Sequence, residues 1–221
     1  ELFGGYETYI ANMKAAQYAG VPNILRKRVI EPIVRSIKPR AAKKGLINKA
    51  RRFVEGVNLP AHLAHCRWRI FAGEAQQALL FTPDAAALLA TPLDAHIKRL
   101  FDQAGDRDPL SRCLFVDVKS YLCDNILTKV DRMSMAVSLE SRVPFLDPEL
   151  IALAFAVPAD LKVAGGTTKI LLKKVAARHI PAQCVYRPKE GFSIPIKHWL
   201  TTTLRPLMED LLSEKTVREQ G

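Results

Sequence analysis

Three stretches of the chain carry residue types from which phosphate chemistry can be built. In Gly165-Gly166-Thr167-Thr168-Lys169, two glycines and two threonines lead into apolar residues at helical spacing. A helix start presents unpaired N–H groups and a partial positive charge, and so takes anions. A lysine in a first turn opposes that charge, which makes sense if an anion lies between the ammonium and the helix end. A plain threonine cap with a solvated lysine accounts equally well for the pattern. In Arg187-Pro188-Lys189-Glu190-Gly191-Phe192, proline stiffens the loop and pushes Arg187 toward an extended backbone, while Gly191 permits a sharp turn. A lysine held in this way can act as a point charge on a phosphate, or the loop can be merely structural. The third stretch packs Lys129, Asp131, Arg132, Glu140, Arg142 and Asp147 among Val130, Met133, Val137 and Leu139. So many charges among apolar residues call for pairing across a partly buried interface, above all for Arg142 and Asp147.

The elements that must position these residues read as helices. Tyr9, Ile10, Met13 and Tyr18 mark a helix over 6–20, stopped at Gly20. Leu25, Val29, Ile33 and Ile37 mark a second over 23–37, with Pro32 inside it as a kink or break. A basic linker over 38–45 follows, then helices over 46–58, 60–72, 83–90 (with Thr82 as cap and Pro83 first inside) and 93–104. Residues 103–109 read as a polar loop. Leu114, Val118, Tyr121, Leu122 and Ile126 give a helical stripe over 113–127, and a short helix follows over 129–138. Asp147-Pro148 reads as the cap and first residue of a helix that Pro158 ends. The Gly165-Gly166 stretch is expected to run straight into a helix reaching His179. Residues 185–198 read as a loop, with a last helix after Trp199. No segment alternates with period two, so the fold class expected is mostly α, with strands nearly absent.

Composition narrows the partners. Hydrophobic residues make up 48% of the 221, which excludes a disordered chain, and no apolar run approaches the length that spans a bilayer. Cys66, Cys113, Cys123 and Cys184 form no CxxC pair, so they read as reduced thiols packed as small apolar residues. His62 and His65 share a helix face but lack a third ligand nearby, so no metal site is assigned. The net charge of +11 suits a polyanion. A basic helical nucleic-acid-binding module is therefore the reading from a different class, although no helix-turn-helix or zinc finger supports it. A purely structural helical piece is a third.

Taken together, these stretches resemble the asparagine synthetase family. Lys129-Val-Asp-Arg-Met-Ser-Met-Ala-Val-Ser-Leu-Glu-Ser-Arg-Val-Pro-Phe-Leu-Asp147 resembles its signature. Thr168-Lys169-Ile-Leu-Leu, Arg187-Pro-Lys189-Glu-Gly-Phe and Pro195-Ile-Lys-His-Trp199 resemble its following blocks, in order. Glu1-Leu-Phe-Gly-Gly-Tyr6 looks like the end of its Asp-Glu-Leu-Phe-Gly-Gly-Tyr motif, so Glu1 reads as the middle of a longer protein. The likeness is close over 1–9 and 110–200 and weak over 10–109.

What the resemblance implies is an expectation for each feature. Residues 1–221 would be the helical C-terminal portion of an α/β ATP-pyrophosphatase domain (adenine nucleotide alpha hydrolase-like). A glutaminase domain, the phosphate-binding loop and the acidic metal ligands would lie upstream. The intact enzyme, cytoplasmic and without a membrane partner, would use ATP and Mg²⁺ to adenylate the side-chain carboxylate of aspartate. Ammonia from glutamine would then displace AMP. A sugar acid or a β-lactam precursor is the alternative acceptor. Lys189 would be catalytic, and Lys169 and Lys189 would hold ATP and pyrophosphate. Lys129, Asp131, Arg132, Arg142 and Asp147 would support them structurally. The chain by itself would be inactive and would bind no nucleotide tightly.

Overall fold

A computed structural model describes all residues except 19, 38–49, 51, 52, 55, 58, 68–73, 89–91, 93, 188–193 and 221. The expected linker over 38–45 and the loop around Lys189 thus lie outside the described residues. The chain divides into two units, Glu1–His179 and Ile180–Gly221.

The first unit is built on helices Glu7–Tyr18, Ala61–Cys66, Ala95–Gln103 and Pro109–Asp117. Their inward faces meet in a core of Tyr9, Leu100, Phe101, Leu110, Cys113, Leu114, Val116 and Val163. Burying such side chains is the main favourable contribution to folding, about 1.5–3 kcal/mol each for the larger aliphatics and phenylalanine. The Pro109–Asp117 helix is the spine of this core, with six of its nine residues buried. It begins at Asp108, whose carboxylate accepts from the Ser111 N–H at 3.0 Å, with Pro109 first inside. The polar loop expected over 103–109 therefore ends in a helix cap.

Two expectations about breaks are corrected. Asn23–Leu25, Arg26–Ile30 and Glu31–Ser36 follow one another without interruption, so Pro32 neither ends nor splits the helix. The turn ahead of it, Arg26–Ile30, is widened to π geometry, and Pro32 sits in the first turn of the α-helical stretch that follows. There a missing N–H and the ring are tolerated. The helices expected over 113–127 and 129–138 likewise run together, joined by a π stretch at Val118–Leu127 that leads into Thr128–Met135. Side chains there bond backbone carbonyls four or five residues back: Ser120 Oγ to Val116 at 2.6 Å and Thr128 Oγ1 to Cys123 at 2.8 Å. Such bonds loosen the regular α ladder.

The Asp147 cap forms as the sequence suggests, accepting from Glu149 and Leu150 N–H at 2.9 and 3.1 Å ahead of helix Pro148–Ala156. Thr82 likewise caps Pro83–Leu88, its Oγ1 3.3 Å from the Ala85 N–H. The Gly165-Gly166 stretch differs from expectation. It turns a small antiparallel hairpin, with Val163 opposite Thr168 and Ala164 opposite Thr167. Both glycines have positive φ, +55° and +81°, as a two-residue hairpin of this hand requires. Helix Ile170–Ala176 starts only after it. Among the described residues this hairpin is the whole of the β structure, so the chain is mostly helical.

The second unit is three helices, Ile196–Thr201, Arg205–Leu211 and Glu214–Gln220, after one turn at Ala182–Val185. The first starts four residues ahead of the expected position and includes Trp199. Pro195 precedes it, donating nothing itself but accepting from the Trp199 N–H at 3.0 Å.

Candidate functional site

Two stretches far apart in the chain, Glu1–Tyr6 and Val163–Lys169, meet in space. Gly4 has φ +68°, a conformation that favours glycine. A Cβ there would drive into Val163 Cγ2. A Cβ on Gly5 would collide with Lys169 Cε and stand 3.4 Å from its Nζ. The pair of glycines is thus the surface on which the hairpin and the Lys169 side chain rest. Lys169 itself has φ +55° and ψ +37° and stands as the N-cap of Ile170–Ala176, with no side-chain cap bond. Left-handed backbone at a non-glycine residue is costly and persists only where its surroundings hold it. The first N–H of that helix, on Ile170, is given to the Lys162 carbonyl at 3.1 Å.

The same N-terminal turn carries an acid. Tyr6 donates its phenol proton to Glu1 Oε1 at 2.8 Å, and the Tyr6 ring stands edge-on to Tyr121, 6.1 Å between centroids. The Glu1 carboxylate, held by Tyr6, and the Lys169 side chain, lying on Gly5, thus both belong to the N-terminal turn. Such a turn can bind a ligand bearing both charges, or a phosphate at its cationic side.

The same unit holds a buried polar network. Tyr9 donates to Asp117 Oδ2, and His65 Nε2 lies 2.6 Å from Asp117 Oδ1. On the far side of the imidazole, the Asn12 side-chain amide is 2.9 Å from His65 Nδ1. Its Nδ2 also donates to Cys113 Sγ at 3.4 Å. Burial by itself pulls the imidazole pKa down. The bond to Asp117, the contact with Cys113 and the Asp117 charge more than offset it, and His65 is pushed up to about 9. The Asp117 carboxylate thus favours the protonated ring over the neutral one. It ties Glu7–Tyr18, Ala61–Cys66 and Pro109–Asp117 together.

Among the described residues, Lys162 is the other buried cationic side chain. It has no solvent exposure, its Nζ finds no hydrogen-bond partner among the described residues, and it stands 5.7 Å from the Phe155 ring centroid. Burial lowers its pKa, opposed by the Asp108 charge.

Of the candidates named from sequence, the structure brings Lys169 to the N-terminal turn. Lys129, Asp131 and Arg132 lie exposed on Thr128–Met135. Arg142, expected to pair across a partly buried interface, instead pairs with Glu140 at 2.8 Å, the two side chains 80% and 66% exposed. Asp147 is also exposed, with one oxygen taken up by its helix cap. Lys189 falls outside the described residues. His62 and His65 share a helix but turn to different carboxylates, His62 to Asp94 at 2.9 Å and His65 to Asp117. Cys66 and Cys113 are buried and Cys123 and Cys184 exposed, all as free thiols. Among the described residues no three His, Cys, Asp or Glu side chains come together as a metal site, and no helix is long and apolar enough to cross a membrane.

Sequence reasoning passed over Glu1, Tyr6, Lys162 and the His65–Asp117 network. Asp117 was findable: it stands between Val116 and Val118 and shares a face with Cys113 and Leu114, so it must turn inward and needs a partner.

A family profile for asparagine synthase matches residues 1–221. A putative glutamine-hydrolysing asparagine synthetase of Mycobacterium tuberculosis is 33% identical over 206 residues, 90% of this chain and 29% of that protein. Glutamine-hydrolysing asparagine synthetase 1 of Bacillus subtilis is 29% identical over 217 residues, 97% of this chain and 32% of that protein. A glutamine-hydrolysing asparagine synthetase of Gallus gallus is 34% identical over 109 residues, 45% of this chain and 19% of that protein. The chain thus spans about a third or less of the length of these relatives. No solved structure matches it.

Proposed function

The chain belongs to the asparagine synthase family, and from that premise we propose that it is the helical C-terminal part of a glutamine-dependent asparagine synthetase. The remainder of the polypeptide, ahead of Glu1, carries the glutaminase domain and the nucleotide-binding part of an α/β ATP-pyrophosphatase fold. In the reaction, an aspartate side-chain oxygen attacks the α-phosphate of ATP, and the bond to the β-phosphate breaks. Pyrophosphate leaves, and ammonia then attacks the acyl carbon and displaces AMP. Mg²⁺ supplies charge neutralisation at the phosphates. The described residues of this chain do not fit a metal, so no step here is assigned through it.

This chain's share is electrostatic. Negative charge develops on the α-phosphate and on departing pyrophosphate, and a fixed ammonium in a site shielded from water stabilises it more in the transition state than in the ground state. Lys189 takes that role on the α-phosphate side, and Lys169 holds pyrophosphate oxygens. The observation that carries the reading is the Lys169 side chain lying on Gly5, because it joins two separate blocks of the family pattern at one place. A side chain resting on a bare backbone, at a strained cap, is held for a purpose that solvation alone does not require.

The test is product analysis on the whole polypeptide with aspartate, glutamine and Mg-ATP. Asparagine, AMP and pyrophosphate in equal amounts are expected. Amidation of a sugar acid or a β-lactam precursor in place of aspartate would change the substrate and keep the site. ADP and phosphate would contradict the reading. Residues 1–221 alone are expected to bind no Mg-ATP at micromolar concentration in isothermal titration, because phosphate recognition rests largely on a backbone loop and a metal.

A further inference from the structure

Tyr9, His65 and Asp117 form a polar chain inside the core of the first unit, and the proposed reaction gives none of them a part. All three are buried, Tyr9 and His65 with 1% exposure and Asp117 with 0%, so none is placed to touch a substrate. Tyr9 donates to one Asp117 oxygen, and His65 Nε2 lies 2.6 Å from the other. The His65 ring stacks on the Tyr9 ring, 6.0 Å between centroids and 18° between planes. Apolar side chains of similar volume often hold helices together as well as a buried charged pair does. What a satisfied network adds is one fixed arrangement in place of several, because its hydrogen bonds are directional and apolar contacts are not.

What this network holds is the start of the first helix. Tyr9 lies in the opening turn of Glu7–Tyr18, and its N–H donates to the Tyr6 carbonyl at 3.2 Å. The Tyr6 ring leans on the Tyr9 ring, 5.9 Å between centroids. Gly5, on which the Lys169 side chain lies, is the residue before Tyr6. A second tie runs through packing. Tyr9 shares a buried cluster with Val163, and Gly4 is fitted against Val163 Cγ2. Tyr9 thus reaches Gly5 through the backbone and Gly4 through the core.

We propose that Tyr9, held by Asp117 and His65, is a positioning residue for Lys169, fixing the Gly4-Gly5 turn on which the lysine side chain lies. The proposal rests on the reading that Lys169 holds pyrophosphate. A misplacement of about 1 Å, caused far from the chemistry, can cost about 10²-fold in rate. A helix start free to shift by that much would carry Gly5 with it. Tyr9→Phe keeps the ring and removes the hydroxyl alone, so it releases this constraint without emptying the core.

A double-mutant cycle on the whole polypeptide tests this. Pyrophosphate release is measured with aspartate, glutamine and Mg-ATP, beside glutamine hydrolysis, well below each variant's unfolding midpoint. Tyr9→Phe is expected to lower pyrophosphate release at least about tenfold and to leave ammonia production near wild type. In a Lys169→Ala background the same substitution should change it by less than about twofold, because the group it positions is gone. His65→Gln, which can still donate to Asp117 but loses the stacked ring, should show the same pattern more weakly, and it serves alone if Tyr9→Phe does not fold. Equal losses with and without Lys169 would overturn the proposal and leave the network purely structural. A wild-type rate in Tyr9→Phe would overturn it too, as would failure of both variants to fold. If Lys169→Ala alone releases pyrophosphate at the wild-type rate, the reading of Lys169 fails and the proposal with it. The other contrary outcomes leave that reading standing.

Discussion

Lys169 crosses the bare backbone of Gly5, and no residue with a side chain fits at position 5 without moving the lysine. Gly5 has no positive φ, so alanine is allowed there by the backbone and the conflict is purely with Lys169. Because the obstructing atoms are the far end of a flexible side chain, Gly5→Ala should change stability by less than about 1 kcal/mol. It should nonetheless displace the ammonium by an ångström or more, which typically costs about 10²-fold in rate. Steady-state kinetics with aspartate and Mg-ATP, beside thermal unfolding of the same protein, separates the two. Normal kcat in Gly5→Ala would remove Lys169 from the reaction.

Gly4→Ala should behave in the opposite way. Its φ of +68° is unfavourable for alanine, and the new methyl meets Val163 Cγ2 in the core. The backbone term is about 1–2 kcal/mol and overpacking adds about 1–3 kcal/mol. A lowered midpoint in urea unfolding is the expected result.

The His65–Asp117 pair sets a pH dependence. The imidazole is raised from 6.5 to about 9 on folding, so its stabilising contribution is full below pH 6.5 and is lost as pH rises through 9. Stability should fall across that interval. Asp117→Ala leaves a buried imidazole without its counter-charge and should cost about 3–5 kcal/mol at pH 7. In that variant the fall between pH 6.5 and 9 should vanish. Urea titrations at a series of pH values measure both.

Lys162 works with the other sign. Its folded pKa is lowered by burial, so protonation favours the unfolded chain, and its contribution to stability rises with pH up to the normal lysine value. An unpaired buried donor costs about 1–3 kcal/mol. Lys162→Met keeps the stem over Phe155, removes the amine and should stabilise by that amount. Calorimetry of wild type and variant at pH 7 gives the answer. A less stable variant would show that the ammonium has a partner beyond the described residues.

The helical class and several caps were legible in the sequence because they depend on local signals. Asp147-Pro148 and Thr82-Pro83 announce helix starts whatever surrounds them. Pro32 misled because its effect depends on its place in a helix, and a widened turn ahead of it left it in a first turn. Gly165-Gly166 misled because two glycines serve a phosphate loop and a tight hairpin equally well, and only the pairing of Val163 with Thr168 decides. The junctions of Gly5 with Lys169 and of Tyr9 with Asp117 join residues more than a hundred positions apart, and no periodicity reports such contacts. The resemblance placed both blocks in one family pattern without bringing them into contact.

The roles proposed for Lys189 and Lys169 in adenylate formation are open to direct measurement. Pyrophosphate release and glutamine hydrolysis should be followed separately in the whole synthetase carrying Lys189→Ala or Lys169→Ala. Lys189→Ala is expected to lower pyrophosphate release about 10²–10³-fold while ammonia production from glutamine stays near wild type. Lys189→Arg should rescue poorly, since a planar fork does not replace a compact ammonium. Lys169→Ala should weaken pyrophosphate release as well. Folded variants that release pyrophosphate at the wild-type rate would contradict the account and return both lysines to structural roles.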